Sequence, residues 1–404
     1  MFIEYLSLTD FRTYPQLDVG LGPGVTVFVG ANGIGKTNIV EAIGYLASLS
    51  SHRVSSDLPL VRFGTGQALV RARVVRGSQV TSLELELNPG KANRARINRA
   101  NPVRAREILG ILRTVLFAPE DLALVKGDPS SRRRFLDELL TSLVPHHAAT
   151  RSDYERVLKQ RNALLKSARA SGRFTSAHEA TLEVWDHHMA QAGAALVRAR
   201  LELVQLLQPQ IARAYASLTD GSKQARAVYR STLESQLSDD GEPEGMPGTT
   251  AGLPAADGGL SGLGLEQLRS RYLDALRQQR RREVERGISL VGPHRDELEL
   301  WLGPAPAKGY ASHGETWSLA LALRLASYYV LCEDGQGPGA APVLILDDVF
   351  AELDNQRRGK LADIVAGAEQ VLVTAAVAED IPAALRGGQI TVVPGGVFDG
   401  RQSA

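Results

Sequence analysis

The sequence predicts an α/β fold in which a P-loop nucleotide-binding head is interrupted by an inserted, mainly helical arm. Three observations predict it. Gly30-Ala31-Asn32-Gly33-Ile34-Gly35-Lys36-Thr37 fits G-x-x-x-x-G-K-[ST], with an apolar strand before it and a helical pattern after it. Val343-Leu344-Ile345-Leu346 is a wholly apolar run that ends in Asp347-Asp348, the acidic strand end that such a site needs. These motifs lie near opposite ends of a 404-residue chain, and the segment between them turns to helical periodicity. The expected division is a head of residues 1–130 and 285–404 and an arm of residues 131–284.

The elements follow in order. The first 30 residues read as strands, and Val25-Thr26-Val27-Phe28-Val29 is buried by composition. A helix is expected from Lys36 or Thr37 to about Leu49. Residues 68–98 read as two strands, with Leu83, Leu85 and Leu87 alternating with Ser82, Glu84 and Glu86. From Ser131 the pattern is helical, and Leu136, Leu139, Leu140 and Leu143 mark one face. Leu182, Trp185, Met189, Ala192, Leu196, Ala199, Leu203 and Leu206 form a heptad seam that Pro209 should stop. That helix is either packed in a bundle or projects from the head as a short arm. Residues 235–264 are rich in Gly, Pro, Ser and Asp and read as a flexible loop. A basic helix over about 265–286 leads back. Strands are expected at Ile288–Val291 and around Leu298, Leu300 and Leu302. The last hundred residues then read strand, helix, strand, helix, strand.

Bulk composition narrows the function classes. Net charge is +1, so nucleic acid could be met only through local basic patches. A single cysteine, Cys332, excludes an internal disulfide and fits a reducing compartment. No run of about 18 apolar residues is present and the N-terminus lacks a leader pattern, so a soluble, cytoplasmic protein with no membrane contact is expected.

The chemistry expected of the two motifs is nucleotide hydrolysis. Backbone N–H groups of the glycine-rich loop face phosphate oxygens. Lys36 supplies charge toward the β and γ phosphates, and Thr37 offers its hydroxyl to Mg²⁺, with Asn38 following. Asp347 should hold the Mg²⁺ water shell, and Asp348 stands where a carboxylate would polarise the attacking water. ATP and Mg²⁺ are the expected cofactors. His146-His147 and His187-His188 are adjacent pairs whose side chains point apart on a helix, so neither is a metal clamp.

A P-loop head split by a helical insert resembles the ABC class of ATPases that act on DNA and chromosomes, SMC proteins among them. That resemblance gives a role to "YASHGETWSLALALRLAS", Tyr310 to Ser327. Ser312 and Gly314 look like the signature turn at a helix N-terminus that caps the γ-phosphate of a partner subunit's ATP. His313 and Glu315 depart from the usual signature. Glu315 would repel γ-phosphate unless turned back to cap its own helix. Thr374 stands where a transport ATPase has its switch histidine. With Asp348 in place of the usual glutamate, slow hydrolysis is expected.

Further blocks are similar to the RecF family of recombination-mediator ATPases. They are "PEDLALVKGDPSSRRRFLD" (119–137), "GPHRDEL" (292–298), "ILDDVFAELDNQRRGKL" (345–361), "NGIGKTN" (32–38) and Asp10-Phe11-Arg12. The resemblance implies an ABC-type, SMC-like head with a short helical second domain. It also implies DNA binding with ATP at gapped or junction duplexes, an ATP-dependent homodimer, and slow hydrolysis. RecR is implied as partner, and indirectly RecO and RecA, whose loading onto gaps the family promotes.

Three basic clusters are candidates for DNA: Arg94, Arg96 and Arg99 with Arg104 and Arg106; Arg132 to Arg134; and Arg277, Arg280 and Arg281 with Arg286. None interleaves aromatics, which favours contacts to a duplex backbone over base stacking. Arg132 to Arg134 open a helix and oppose its dipole, so pairing with acids is the stronger reading there. Two other readings are a structural tether like an SMC head and a transport ATPase. The short arm speaks against the first, and the incomplete signature and missing switch histidine against the second.

Overall fold

A computed structural model describes residues 1–219, 221, 223–234, 259–335 and 337–399. Two six-stranded sheets organise the molecule. The first is antiparallel, in the order β2-β1-β4-β5-β6-β7. Its strands are β1 (Phe2–Phe11), β2 (Tyr14–Gly20), β4 (Ala68–Arg76), β5 (Gln79–Leu87), β6 (Arg94–Ile97) and β7 (Val103–Arg104). Residues 68–98 therefore hold three strands where two were expected. The third, β6, is a short segment of alternating arginines, and polarity hides its ladder from a hydrophobic pattern.

The second sheet runs β15-β14-β3-β13-β12-β8 and is parallel except for its edge strand β15. Its strands are β3 (Gly24–Val29), β8 (Thr114–Phe117), β12 (Val343–Asp347), β13 (Gln370–Ala375), β14 (Gly388–Val393) and β15 (Gly396–Asp399). Both of its faces are covered, so its central strands read as continuous apolar runs. The residues of β12 alternate between two cores: Val343 and Ile345 face the antiparallel sheet, and Leu344 and Leu346 face the helices. Adjacent pairing of β3, β13 and β12 brings the ends of the two distant motifs side by side.

A small sheet of β9 (Ala225–Arg230), β10 (Glu297–Leu302) and β11 (Ala305–Pro306) joins the helical part to the head. The expected strand at Ile288–Val291 does not form. Side chains take its backbone donors: Ser289 N donates to Asn162 Oδ1 (2.7 Å) and Leu290 N to Glu283 Oε1 (2.7 Å).

The helices are α1 (Lys36–Ser48), α2 (Leu122–Lys126), α3 (Pro129–Leu143), α4 (His146–Ser171), α5 (Ser176–Leu218), α6 (Leu265–Arg286), α7 (Ala307–Tyr310), α8 (His313–Asp334) and α9 (Asn355–Val365). Pro209 does not stop the heptad helix; α5 runs through it to Leu218. A proline inside a helix costs about 3 kcal/mol, and packing offsets it here. Leu207, Ile211, Ala214, Tyr215 and Leu218 are all buried, and α5 lies along α8 of the head. Gln208 also ties the helix to β9, accepting from Ala227 N and donating to Ala225 O. The N-terminal half of α5 pairs with α4 and α6. Most of the Gly- and Pro-rich stretch, residues 235–258, lies outside the described residues. Among those described, no helix is long and apolar enough to cross a membrane.

At the centre of α4, α5 and α6 sits Arg161, fully buried. It donates to Asp186 (2.7 Å), Glu283 (2.6 Å) and Ser289 Oγ (2.7 Å). Arg200 of α5 forks onto Asp137 of α3 and also donates to Pro293 O (2.7 Å). His294, whose role was open from sequence, is a joint of the same kind: Nδ1 lies 2.7 Å from the Tyr154 hydroxyl and Nε2 3.3 Å from Ser289 O. Burial pushes its pKa from the ordinary 6.5 down to about 4. The unfolded chain therefore takes up a proton that the native site refuses. The stability His294 contributes is complete above pH 6.5 and is lost as pH falls toward 4. Between pH 7 and 5 the loss is about 2 kcal/mol. A urea titration should show the midpoint dropping over that interval, and less so in His294→Gln.

Candidate nucleotide-binding site

The loop between β3 and α1 is shaped to receive an anion. Gly35 caps α1 with φ 119, and a Cβ there would lie 2.6 Å from the Tyr14 hydroxyl. No side chain caps the helix and no acid lies in its first turn, so its backbone N–H groups remain directed at the loop. Lys36 Nζ sits over the loop, donating to Gly30 O (2.9 Å) and Ala31 O (3.2 Å), with Asn32 Oδ1 at 3.5 Å. Ile34 packs on the core of the antiparallel sheet. Asn38 turns aside, donating to Thr13 Oγ1 (3.0 Å) and accepting from Arg53 (3.2 Å).

The structure brings the acidic strand to this loop. Thr37 Oγ1 donates to Asp347 Oδ1 (3.0 Å), and Thr374 Oγ1 donates to the same oxygen (2.7 Å). Asp348 follows with φ 50, its N–H bonded to Thr374 Oγ1 (2.9 Å). Burial, and then the neighbouring Asp347 charge, raise the Asp348 pKa. Two participants were not legible in the sequence. Thr374 was read as a missing histidine, whereas its hydroxyl links both aspartates. His52, just beyond α1, places Nε2 3.8 Å from Asp347 Oδ2, with no hydrogen-bond partner among the described residues. Only spatial proximity reveals it, because nothing in its sequence spacing marks it.

A cavity of about 1080 Å³ opens over this group, walled by Lys36, Thr37, Asp348 and Thr374 and by a loop over residues 58–65. Ser312 and Gly314 are not among its walls. They form a second, separate centre. Ser312 is the exposed N-cap of α8, and its Oγ accepts from Glu315 N. Glu315 is turned back onto the start of its own helix: Oε2 accepts from Ser312 N (2.8 Å) and Oε1 from Lys223 Nζ (2.6 Å). The Lys223 bond, and then the Ser312 N–H, lower its pKa to about 2. Arg357 of α9 lies over Gly314, where a Cβ would come within 2.8 Å of Nη2. Arg357 also pairs with Asp354 and donates to Ser318 Oγ (2.9 Å), fastening the segment Glu352-Leu353-Asp354 to the signature turn. The end of α5 reaches the same centre, since Lys360 of α9 donates to Thr219 O (3.2 Å).

The basic candidates separate by environment. Arg94, Arg96 and Arg99 are exposed on and after β6, with Arg96 3.7 Å from Glu84. Arg277 and Arg281 are exposed on α6 in local pairs with Asp274 (3.0 Å) and Glu285 (3.0 Å), which hold them weakly. Arg280 is a correction: its side chain turns inward to Asp186 and is only 17% exposed, so it belongs to the Arg161 cluster. Arg132 is likewise internal, forked onto Glu297 and bonded to Leu124 O (3.0 Å). Arg106, the neighbours Arg133 and Arg134, and Arg151 share the walls of a cleft of about 730 Å³ between head and helices.

Sheet order, P-loop and divided helical insert define an ABC-type ATPase head of the SMC kind. A family model for the RecF/RecN/SMC N-terminal domain matches residues 2–396. The chain belongs to the RecF family of DNA replication and repair proteins. It is 71% identical to RecF of Pseudarthrobacter chlorophenolicus over 398 residues, covering 98% of this chain and 99% of that one. With RecF of Streptomyces avermitilis identity is 54% over 399 residues, covering 98% and 99%. Solved structures agree in fold. A recombination mediator RecF bound to ATP superposes with TM-score 0.82 at 24% identity, covering 98% of this chain and 97% of that chain. The Smc head of Pyrococcus furiosus bound to the C-terminal domain of ScpA gives 0.52 at 17%, covering 100% and 97%.

Proposed function

We propose that this protein is an ATP-gated DNA clamp: it binds ATP with Mg²⁺ at the P-loop, pairs with a second copy on gapped or junction duplex DNA, and hydrolyses ATP slowly. With RecR, and through RecO, the clamp promotes RecA loading in recombinational repair. The observation that carries this reading is the separation of the two centres. An exposed signature turn stands off the walls of its own chain's P-loop cavity and is fastened to the segment 352–354, so it is free to cap a partner's nucleotide.

Thr37 and Asp347 fit Mg²⁺, a hard cation satisfied by one or two protein oxygens with water and phosphate completing its shell. When bound, the ion would neutralise charge building on the β and γ phosphates. Lys36 exchanges loop carbonyls for phosphate oxygens, and its charge stabilises the transferring group. Asp348, with a raised pKa, accepts the proton of the attacking water; its side chain is one methylene shorter than a glutamate's, which supports slow turnover. Exposed Arg94, Arg96 and Arg99 and the cleft around Arg133 offer guanidinium forks to phosphates. The reading as an SMC-like tether is weaker, because the C-terminal half of α5 lies packed along α8 of the head and the rest is bundled with α4 and α6.

The test is filter binding to a gapped duplex. ATP should tighten binding about tenfold or more relative to ADP, within the usual range for linked sites. Lys36→Ala should lose that gain while keeping its ATP-independent binding. Equal ATP stimulation in both proteins would remove the P-loop from the gating role.

A further inference from the structure

Thr374 is the polar residue in an otherwise apolar run, Val371 to Ala375, at the C-terminal end of β13. That strand lies between the P-loop strand β3 and the acidic strand β12. It pairs in parallel with both, so Thr374 stands opposite Asp347 on one side and Phe28 on the other. A central strand of a parallel sheet favours β-branched apolar residues, and valine would fill the same space. Burying a hydroxyl there costs free energy unless it is hydrogen-bonded, and Thr374 is only 1% exposed.

The hydroxyl is used in both senses. Its proton goes to Asp347 Oδ1 (2.7 Å), and its oxygen accepts the N–H of Asp348 (2.9 Å). Thr37 Oγ1 donates to the same Asp347 oxygen (3.0 Å), so one hydroxyl from α1 and one from β13 fix that carboxylate. Asp348 has φ 50, a left-handed backbone that is uncommon outside glycine. Such a conformation persists only where its surroundings hold it, and here the Thr374 oxygen is the partner of its N–H. The turn separates the two acids: Asp348 reaches the wall of the nucleotide cavity, and Asp347 does not. The methyl branch of threonine restricts χ1 and so keeps the hydroxyl aimed at both.

We propose that Thr374 is a positioning residue of the hydrolytic centre: its hydroxyl sets the carboxylate of Asp347 for Mg²⁺ and the backbone turn that carries Asp348 into the cavity. This rests on the nucleotide reading of the site. Without the hydroxyl, Asp347 keeps one donor, Thr37, and the N–H of Asp348 loses its acceptor. A threonine that served the fold alone would change stability and leave the use of Mg²⁺ as it was.

The experiment compares the full chain with Thr374→Val and Thr374→Ser. Equilibrium ATP binding is titrated with Mg²⁺ and repeated in EDTA, and turnover is measured at saturating Mg-ATP. Valine keeps the shape and removes the hydroxyl; serine keeps the hydroxyl. Thr374→Val should raise the Mg²⁺ concentration needed to tighten ATP binding and lower turnover, each roughly 10- to 100-fold, with ATP affinity in EDTA unchanged. Thr374→Ser should retain both. Thr374→Ala repeats the test should the valine variant not fold. An unchanged Mg²⁺ requirement and turnover in Thr374→Val overturns the assignment, even where the unfolding temperature falls. Equal loss in Thr374→Val and Thr374→Ser also overturns it, because the shape of the side chain is then what matters. A wild type that binds no ATP, with or without Mg²⁺, refutes the nucleotide reading itself.

Discussion

Ser312→Arg is expected to abolish ATP-dependent pairing of the protein while leaving ATP binding by a single protomer intact. The expectation follows from where Ser312 lies. It is exposed at the head of α8, outside the walls of the cavity that holds Lys36, Thr37 and Asp348. Ser312 does not line its own chain's nucleotide cavity, so binding in isolation should be unchanged. In the paired state the same position would face a partner's γ-phosphate at close range, where a small hydroxyl and free N–H groups fit and a long side chain does not. Loss of the N-cap costs only about 1 kcal/mol, far too little to unfold the head. Nucleotide titration of the isolated variant separates the two effects, and a variant that fails to bind ATP at all would place Ser312 in the cis site.

Arg161→Met is expected to destabilise the fold by about 3–5 kcal/mol, the cost of breaking a buried ion pair from one side. Arg161 is fully buried between Asp186 and Glu283, whose side chains are 5% and 0% exposed. Methionine replaces most of the volume but leaves Glu283 without its cation, and Asp186 then relies on Arg280 alone. Protonation relieves that unpaired charge, so the deficit should shrink at acid pH. Thermal unfolding at pH 7 and pH 5 checks both statements. A change below about 1 kcal/mol at pH 7 would mean that water reaches the cluster and screens it.

The parts of this molecule that were legible in sequence are those where one local signal carries the structure. The P-loop, α1, β12 with Asp347 and Asp348, and α6 all stand where their patterns place them, because glycine spacing, apolar runs and helical period are properties of short windows. Pro209 misled because a local breaking signal yields to burial on both sides of it. The Ile288–Val291 run looked like a strand, yet Asn162 and Glu283 take its backbone donors from elsewhere in the chain. Arg280 and Arg281 are neighbours in a basic run, but only the helix phase and the presence of Asp186 send one inward and leave the other outside. His52 and Thr374 join Asp347 through space alone.

In the proposed clamp, the signature turn of one protomer completes the ATP site of another. Sedimentation velocity of a labelled gapped duplex with this protein, with and without ATP, alongside Ser312→Arg, tests it most directly. A complex of two protomers on DNA should form only with ATP and only for the wild type. A single protomer on DNA, indifferent to ATP and to the substitution, would contradict it.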